Sequence, residues 1–305
     1  MDIRYLKHSE IDKVRWDRTV SQSENGMVYA ETWYLDIVCP GWHALIAGDY
    51  DFVFPLTARK KFGFSYLYQP AFTQQGGIFG KNISQQVIQD FLLNIPTQFK
   101  LVEIQLNTLN TVDNISGFEI FKKRTYHLSL SDGIDALRKN YSENLRRNLK
   151  KASKAEVEIV DNATIEELIT LFKSNRGKEG TNLKESDYDC LKLLINEAQK
   201  KGRISMPSVR NDKGELIAGA VFLQSLHSLI FLFSATNTQA KELGAMSMII
   251  DDTICKNAGR GNAVLDFEGS MDEDLARYYR GFGSKEIVYL QIRKNNLPAL
   301  IRRLK

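Results

Sequence analysis

One stretch near the C-terminal end combines a strand, a tight turn, a short helix and a second strand with an unusual set of charges. Its sequence, residues 265–285, is LDFEGSMDEDLARYYRGFGSK. An apolar strand end is followed at once by two carboxylates, Asp266 and Glu268, and by a glycine. A basic RGFG run from Arg280 precedes the strand predicted over Ile287–Ile292. Because charges and glycines are costly in a plain connection, we interpret this stretch as a substrate-facing edge of an α/β sheet.

The length and charge of the chain limit its class. With 305 residues it exceeds the usual domain of ~100–200 residues, which predicts two domains. A net charge of +4 is too small to indicate nucleic acid as a partner by itself. The three cysteines are scattered and form no CxxC or Cys/His cluster, which argues against a disulfide framework, a structural zinc site or any other metal site.

The apolar segments predict where the protein acts. The N-terminal residues, MDIRYLKHSE, contain no apolar signal core. The longest apolar runs fall far short of the ~20 residues that cross a bilayer. We therefore expect no membrane span and a cytoplasmic location.

The second half of the chain has a regular order of predicted elements. They include a basic helix over Ile134–Lys154, a hairpin that turns at residues 211–214, a central strand over Ser228–Ser234 and a helix over Thr238–Asn257. The first half mixes strands and helices without a sequence repeat. We predict an α/β (α+β) fold with mixed central sheets, divided into residues 1–130 and 131–305.

Two motifs of the second half occur in a characteristic order. The first is YSENLRRNLKKA over Tyr141–Ala152, and the second pairs DFEG at Asp266–Gly269 with RGFG at Arg280–Gly283. They are similar to the S-x-x-x-R-x-x-I-R-K-A helix, and to D-F-x-G followed by F-K-x-G-F-G, of one family. The chain thus resembles the FemAB/FemX peptidoglycan-bridge aminoacyltransferases and related acetyltransferase domains, over roughly residues 129–292.

The resemblance implies a fold and an activity. The fold would be tandem GNAT-like (acyl-CoA N-acyltransferase) domains, with residues 1–130 a degenerate copy and residues 131–305 the transferase domain. The best-known members join an amino acid from aminoacyl-tRNA to the peptide of a cell-wall precursor, with no metal and no tightly bound cofactor.

This sequence departs from the family pattern in the parts that bind the donor. The long helical arm associated with tRNA in some members has no counterpart, and Arg280 replaces the family's lysine. The acyl-CoA loop of ordinary GNAT enzymes is half matched at Lys241–Met246, where Met246 replaces the second small residue. The donor therefore stays open between acyl-CoA and aminoacyl-tRNA.

The two carboxylates of the DFEG motif are the candidate catalytic residues. An attacking amine must be neutral, so Asp266 or Glu268 would act as general base or position the amine. The alternative is solvation of a strand end, or an ion pair with Arg277 or Arg280.

Basic and aromatic residues form two candidate substrate-binding groups. Arg146, Arg147 and Lys150 lie on the basic helix, where guanidinium groups suit a diphosphate or carboxylate; the alternative is a solvated helix face. The second group, around the RGFG run, would line a donor site, with the alternative of a β-turn that buries Phe282. Its members are Tyr279, Arg280, Phe282 and Lys285.

Two loops complete the predicted site. Ser234, Asn237 and Gly244 would form a donor or oxyanion loop where backbone N–H groups face a phosphate or carbonyl, unless they only cap the following helix. Gln74 and Gln75 would form the acceptor wall in the first domain, unless they lie in an ordinary hairpin loop.

These residues favour transfer of an acyl or aminoacyl group to an amine of an anionic acceptor, a small molecule or a cell-wall precursor. Acyl-CoA or aminoacyl-tRNA would be the co-substrate, and tRNA a partner in the second case. Two alternatives are an acyl-CoA-dependent N-acetyltransferase acting on a small metabolite or sugar amine, and a non-catalytic binding module on a transferase fold. The sequence leaves the oligomeric state open.

Overall fold

The computed structural model describes residues 1–175, 183–261, 263–269 and 271–298. The chain divides into two compact units. One contains residues 1–123 and the C-terminal segment from Val288, and the other contains residues 124–287. This boundary differs from the predicted division at 130/131 because one long strand, Glu119–Ser129, runs through it without a change in composition.

The chain contains runs of strands and runs of helices, with short 3₁₀ turns at His8–Glu10 and Val28–Ala30. Up to the unit boundary they are β1 (Ile3–Leu6), α1 (Lys13–Gln22), α2 (Thr32–Val38), β2 (His43–Ala47), β3 (Phe52–Leu56), β4 (Ala58–Lys61), β5 (Phe64–Leu67), β6 (Phe79–Gly80), α3 (Gln85–Leu93), β7 (Phe99–Gln105) and β8 (Glu119–Ser129). Beyond it they are α4 (Ile134–Lys139), α5 (Glu143–Lys154), α6 (Ile165–Asn175), α7 (Glu185–Lys200), β9 (Ile204–Ser205), β10 (Ser208–Arg210), β11 (Leu216–Gln224), β12 (Ser228–Thr236), α8 (Thr238–Leu243), α9 (Ala245–Asn257), β13 (Val264–Asp266), α10 (Glu273–Arg280) and β14 (Lys285–Asn295).

The first unit contains two groups of strands. One is an antiparallel sheet in the order β1-β2-β3-β6. In the other, β4 pairs with β5 and β7 with β14 in antiparallel fashion, whereas β5 and β7 are parallel. The core includes Phe54, Phe91 and Ile292, which are buried together.

The second unit is built on strands in the order β10-β11-β12-β13-β8, with β9 paired to β11. The pair β12–β13 is parallel and its neighbours are antiparallel. Both units therefore combine parallel and antiparallel pairs, and the predicted α/β (α+β) fold with mixed central sheets is confirmed. Aromatic side chains fill this core, among them Phe222, Phe267 and Phe282.

Two helices that the sequence predicts as continuous are each divided in the structure. The first breaks between α4 and α5, because Asn140 ends one helix and the Ser142 hydroxyl accepts from Leu145 N at 3.2 Å to begin the next. The second breaks at Gly244, which is left-handed at φ +74°. A Cβ on Gly244 would lie 2.5 Å from the carbonyl oxygen of Asn148, so only glycine permits this close approach of α5.

Candidate active site

A cavity of about 630 Å³ lies within the second unit, beside the part of β12 that extends past its parallel pairing with β13. Strands β12 and β13 pair over three residues, and the final pair is Ile230 with Asp266. β12 then continues to Thr236, while β13 ends. Because every second residue of a strand turns its N–H and C=O to the same side, the free edge of β12 presents backbone polar groups toward the opening. The cavity is thus positioned by the ends of strands, where ligands commonly bind in α/β folds.

Neutral polar and aromatic side chains line most of this cavity. They come from α5, α6, β12, α8, α9 and α10, and include Asn148, Phe172, Asn175, Phe231, Ser234, Thr236, Thr238, Ser247, Tyr278 and Tyr279. No carboxylate occurs among the described residues of the lining. The arrangement offers hydroxyl and amide groups to a substrate in a partly enclosed space.

Two hydroxyl groups of the lining are joined. The Ser247 Oγ and Tyr278 Oη atoms are 3.2 Å apart, and either can donate to the other. Burial raises the pKa of the Tyr278 phenol above its ordinary value of 10, so the phenol keeps its proton at neutral pH. Tyr278 can therefore donate a hydrogen bond or a proton to a group bound in the cavity.

Positive charge enters the lining at α8 and α9. Lys241 is exposed and has no acidic partner among the described residues. Nearby, α9 begins at Gly244, which supplies no side chain to satisfy the first N–H groups of the helix. A helix start of this kind and a lysine are both favourable toward a phosphate.

The structure places the predicted catalytic carboxylates outside this lining. Asp266 is only 7% exposed; it accepts from Thr125 Oγ1 at 2.6 Å and Glu268 N at 2.9 Å, and lies 3.3 Å from His127 Nε2. Glu268 is left-handed at φ +51°. These contacts fix the turn at the end of β13, and a catalytic role for either carboxylate stays a prediction.

The rest of the DFEG and RGFG motifs builds the wall behind the cavity. Phe267 is 1% exposed and stacks on Tyr279, with ring centroids 4.9 Å apart, and Phe282 packs 5.6 Å from Phe267. Of the four predicted donor-site residues, only Tyr279 lines the cavity.

The two basic members of that group lie elsewhere. Arg280 donates to Tyr126 Oη at 3.3 Å and lies 3.7 Å from Glu273. Lys285 is exposed at the start of β14. An ion pair between Arg280 and a carboxylate of the DFEG motif was one alternative interpretation of the sequence. In the structure Arg280 instead contacts Tyr126 and Glu273.

The basic helix separates into one structural arginine and a free cationic face. Arg146 donates to the carbonyl oxygens of Arg138, Lys139 and Tyr141 at 3.0–3.2 Å, so its guanidinium closes the end of α4. Arg147 and Lys150 are exposed and have no acidic partner in the described part of the chain. They remain available to an anionic ligand, whereas Arg146 is already occupied.

The predicted donor loop is divided between the cavity and a helix cap. Ser234 and Gly244 line the cavity. Asn237 instead caps α8, accepting from Ala240 N at 2.9 Å.

Gln74 and Gln75 lie in the first unit. Gln75 is buried, donates to Gln74 Oε1 at 2.9 Å and accepts from Thr108 N at 3.1 Å. The pair therefore holds a loop, and a role as acceptor wall stays a prediction.

Sequence reasoning missed several residues that the fold brings into the cavity, namely Asn148, Asn175, Ser247 and Tyr278, whereas Lys241 begins the half-matched acyl-CoA loop. They come from separate elements, so no local motif joins them. The one local signal was Tyr278, which precedes Tyr279 on a helix whose spacing places both toward the sheet.

Within the described residues, no helix is long and apolar enough to cross a membrane. In the same part of the chain, no group of three or more His, Cys, Asp or Glu side chains is arranged to hold a metal ion.

Comparison with known proteins agrees with this geometry. Residues 139–278 match the family model described as an acetyltransferase (GNAT) domain. No curated protein matches the sequence.

Solved structures share the fold of the whole chain at low sequence identity. FemX superposes with a TM-score of 0.69 at 13% identity, covering 100% of this chain and 99% of that one. L-PGS from Bacillus licheniformis gives 0.57 at 10% identity, covering 96% and 95%. A conserved protein of unknown function from Bacteroides thetaiotaomicron gives 0.55 at 10% identity, covering 92% of each. The predicted FemAB-like GNAT fold is confirmed.

Proposed function

We propose that this chain transfers an acyl or aminoacyl group to the amine of an anionic acceptor, because residues 139–278 match the acetyltransferase (GNAT) domain model and the chain has a FemX-like fold. The observation that carries the proposal is the cavity of about 630 Å³ beside the part of β12 that extends past its pairing with β13. Its volume lies in the range of small-molecule sites, ~300–1,000 Å³.

The reaction is direct attack in that cavity. An uncharged amine of the acceptor adds to the donor carbonyl and a C–N bond forms. The C–O bond of an ester donor or the C–S bond of a thioester donor then breaks. The leaving group takes up one proton as the attacking nitrogen loses one. Positioning of the two substrates, and N–H groups of the β12 edge aimed at the developing oxyanion, would supply most of the rate.

Tyr278 is the proposed proton donor to the leaving group. Tyr278 lines the cavity, and its hydroxyl lies 3.2 Å from that of Ser247. The nitrogen's proton then restores the phenol, through water or directly, so the residue is unchanged after each turnover.

The groups that can bind phosphate indicate which classes of donor and acceptor the protein would use. The N-terminal end of α9 and Lys241 would hold phosphate of the donor, which both acyl-CoA and aminoacyl-tRNA carry, as a co-substrate and not a tightly bound cofactor. Arg147 and Lys150 would hold the acceptor's negative charge. The FemAB/FemX resemblance favours a cell-wall precursor as acceptor, and a cytoplasmic location follows for such a reaction.

A transfer assay tests the proposal. Acetyl-CoA and aminoacyl-tRNA are offered as donors with a UDP-linked muropeptide or a sugar amine as acceptor, and the product is detected by mass spectrometry. Tyr278→Phe keeps the ring contact with Phe282 at 5.4 Å but removes the hydroxyl. We expect it to lower kcat by about 100-fold or more with little change in KM.

The matched control is Tyr5→Phe, on β1 of the first unit, whose hydroxyl accepts from Gln98 Nε2 at 3.0 Å and which is not part of the cavity lining; it should leave kcat unchanged. Lys241→Glu should raise the KM of the donor, whereas Lys213→Glu in the exposed hairpin turn should not. A full kcat in Tyr278→Phe would refute the proton donor. No transfer from any donor would favour a non-catalytic binding module.

A further inference from the structure

The β4–β5 hairpin of the first unit presents an exposed aromatic residue at its tip. Phe62 and Gly63 form the two-residue loop between the paired residues Lys61 and Phe64. Phe62 is 80% exposed, the largest fraction among the large apolar side chains that the structure describes. An apolar ring in this position gains no burial within the unit.

The backbone at the tip adds a second cost. Both loop residues have positive φ, +50° at Phe62 and +81° at Gly63, as in a type I′ turn. Asn, Asp and Gly are preferred at the first position of that turn, because a side chain with a Cβ is strained in the left-handed region. Phe62 is thus unfavourable both in exposure and in backbone conformation, and such outliers point to function.

Positive charges flank the tip on both faces of the hairpin. The segment Thr57–Gln69 contains three cations and no acid. Lys60 and Lys61 are exposed, lie on opposite faces by strand alternation, and have no acidic partner among the described residues. Arg59 stacks on Tyr68, 4.2 Å from the ring centroid.

Protection of a sheet edge explains only part of this pattern. β4 is the terminal strand of its sheet, and lysines there discourage pairing with other chains. That role does not require an aromatic ring at the apex, where asparagine would give a better turn and a more soluble tip. The ring therefore needs a partner that is apolar and lies close to negative charge.

We propose that the β4–β5 hairpin docks this protein on an anionic phospholipid surface. Phe62 would enter the boundary between headgroups and acyl chains, and Lys60 and Lys61 would contact the headgroup phosphates. Charge complementarity and the end-on apolar tip favour a bilayer over RNA. Stacking on RNA typically uses several aromatic rings along a positively charged groove, whereas Phe62 is one exposed ring at the end of a hairpin.

The inference is independent of the proposed acyl transfer, because it rests on the first unit alone. Binding would be reversible and salt-dependent, since one aromatic residue and a few cations give marginal affinity.

Vesicle co-sedimentation of the full chain tests the proposal. The protein should bind vesicles containing phosphatidylglycerol and not vesicles of phosphatidylcholine alone. Phe62→Asn, which suits the turn, should lower the partition about tenfold. The double variant Lys60→Ser with Lys61→Ser should lower the partition about 25-fold, because each lysine contributes a factor of about five.

Matched controls separate the tip from general surface effects. Val14→Asn removes an apolar side chain that is 72% exposed on α1, and Lys81→Ser with Lys213→Ser removes two exposed lysines elsewhere. Neither should change the partition. The proposal would be overturned if the control variants lost as much vesicle binding as the tip variants. It would also be overturned if Phe62→Asn bound the vesicles as well as the parent protein does.

A depth measurement gives an independent readout. A tryptophan at the tip, Phe62→Trp, should be quenched by lipids brominated on their acyl chains, whereas Val14→Trp should not. Absence of quenching at the tip would refute insertion. Binding to unstructured RNA with the same dependence on Phe62, without vesicle binding, would show that the partner is RNA.

Discussion

Adjacent residues on α5 show how one basic motif serves two purposes. Arg146 donates to three carbonyl oxygens at the end of α4, whereas Arg147 extends into solvent. In the sequence the two arginines look equivalent, because both follow the YSENL start of the motif. Only the break between α4 and α5 turns the first toward the preceding helix.

The difference predicts opposite effects for the two alanine variants. Arg146→Ala should lower the free energy of unfolding by about 0.5–1.5 kcal/mol, because water only partly replaces its hydrogen bonds to the carbonyl oxygens of Arg138, Lys139 and Tyr141. Arg147→Ala should change that free energy by less than about 0.5 kcal/mol but weaken binding of an anionic acceptor. Urea unfolding and acceptor titration measure the two quantities. Equal destabilisation by both variants would contradict the division.

At the scale of elements, a carboxylate joins α6 to β10. Glu167 accepts from both terminal nitrogens of Arg210 at 2.9 and 3.1 Å, and from Thr164 N at the start of the helix at 2.9 Å. The pKa of Glu167 is lowered from its ordinary value of 4.5 to about 2. The main cause is the hydrogen bonding from Arg210, and the second is the hydrogen bond from the Thr164 N–H. The carboxylate therefore favours the folded state when it is ionised.

This contact predicts a pH-dependent stability. Since the folded pKa is lowered, the contribution of Glu167 is fully present above about pH 4.5 and is lost as the pH falls toward about 2. Glu167→Gln should thus be less stable than the parent near neutral pH, and the difference should narrow steadily in acid. Urea unfolding across that range measures it. The side chain is partly exposed, so the effect is small, and a pH-independent difference would contradict the assignment.

Element order could be predicted from the sequence better than element ends. The predicted hairpin at residues 211–214 is confirmed, because its turn depends on local groups: Asn211 Oδ1 accepts from Lys213 N and Glu215 N, and Gly214 is left-handed at φ +78°. The break at Gly244 was not predicted, because it depends on the approach of Asn148 from another helix. Local sequence signals therefore predict which elements form, whereas tertiary contacts determine where those elements end.

At the scale of the whole chain, the family motifs predicted the fold but not the lining of the cavity. Of the site residues predicted from the motifs, Tyr279 lines the cavity, whereas Asp266 and Phe282 are buried outside the lining. Tyr278 and Ser247 meet only after α9 and α10 pack beside β12. Such an assembly from distant segments leaves no spacing in the sequence that could reveal it.

The proposed function places the donor in the cavity between β12 and α9. Hydrogen–deuterium exchange of the full chain, with and without saturating CoA or uncharged tRNA, tests it directly. We predict added protection of the backbone amides of Phe231–Thr236 and Ala245–Ser247 with one of these ligands, and no change in the hairpin at residues 211–214. Protection confined to other segments, with β12 and α9 unchanged, would contradict the account.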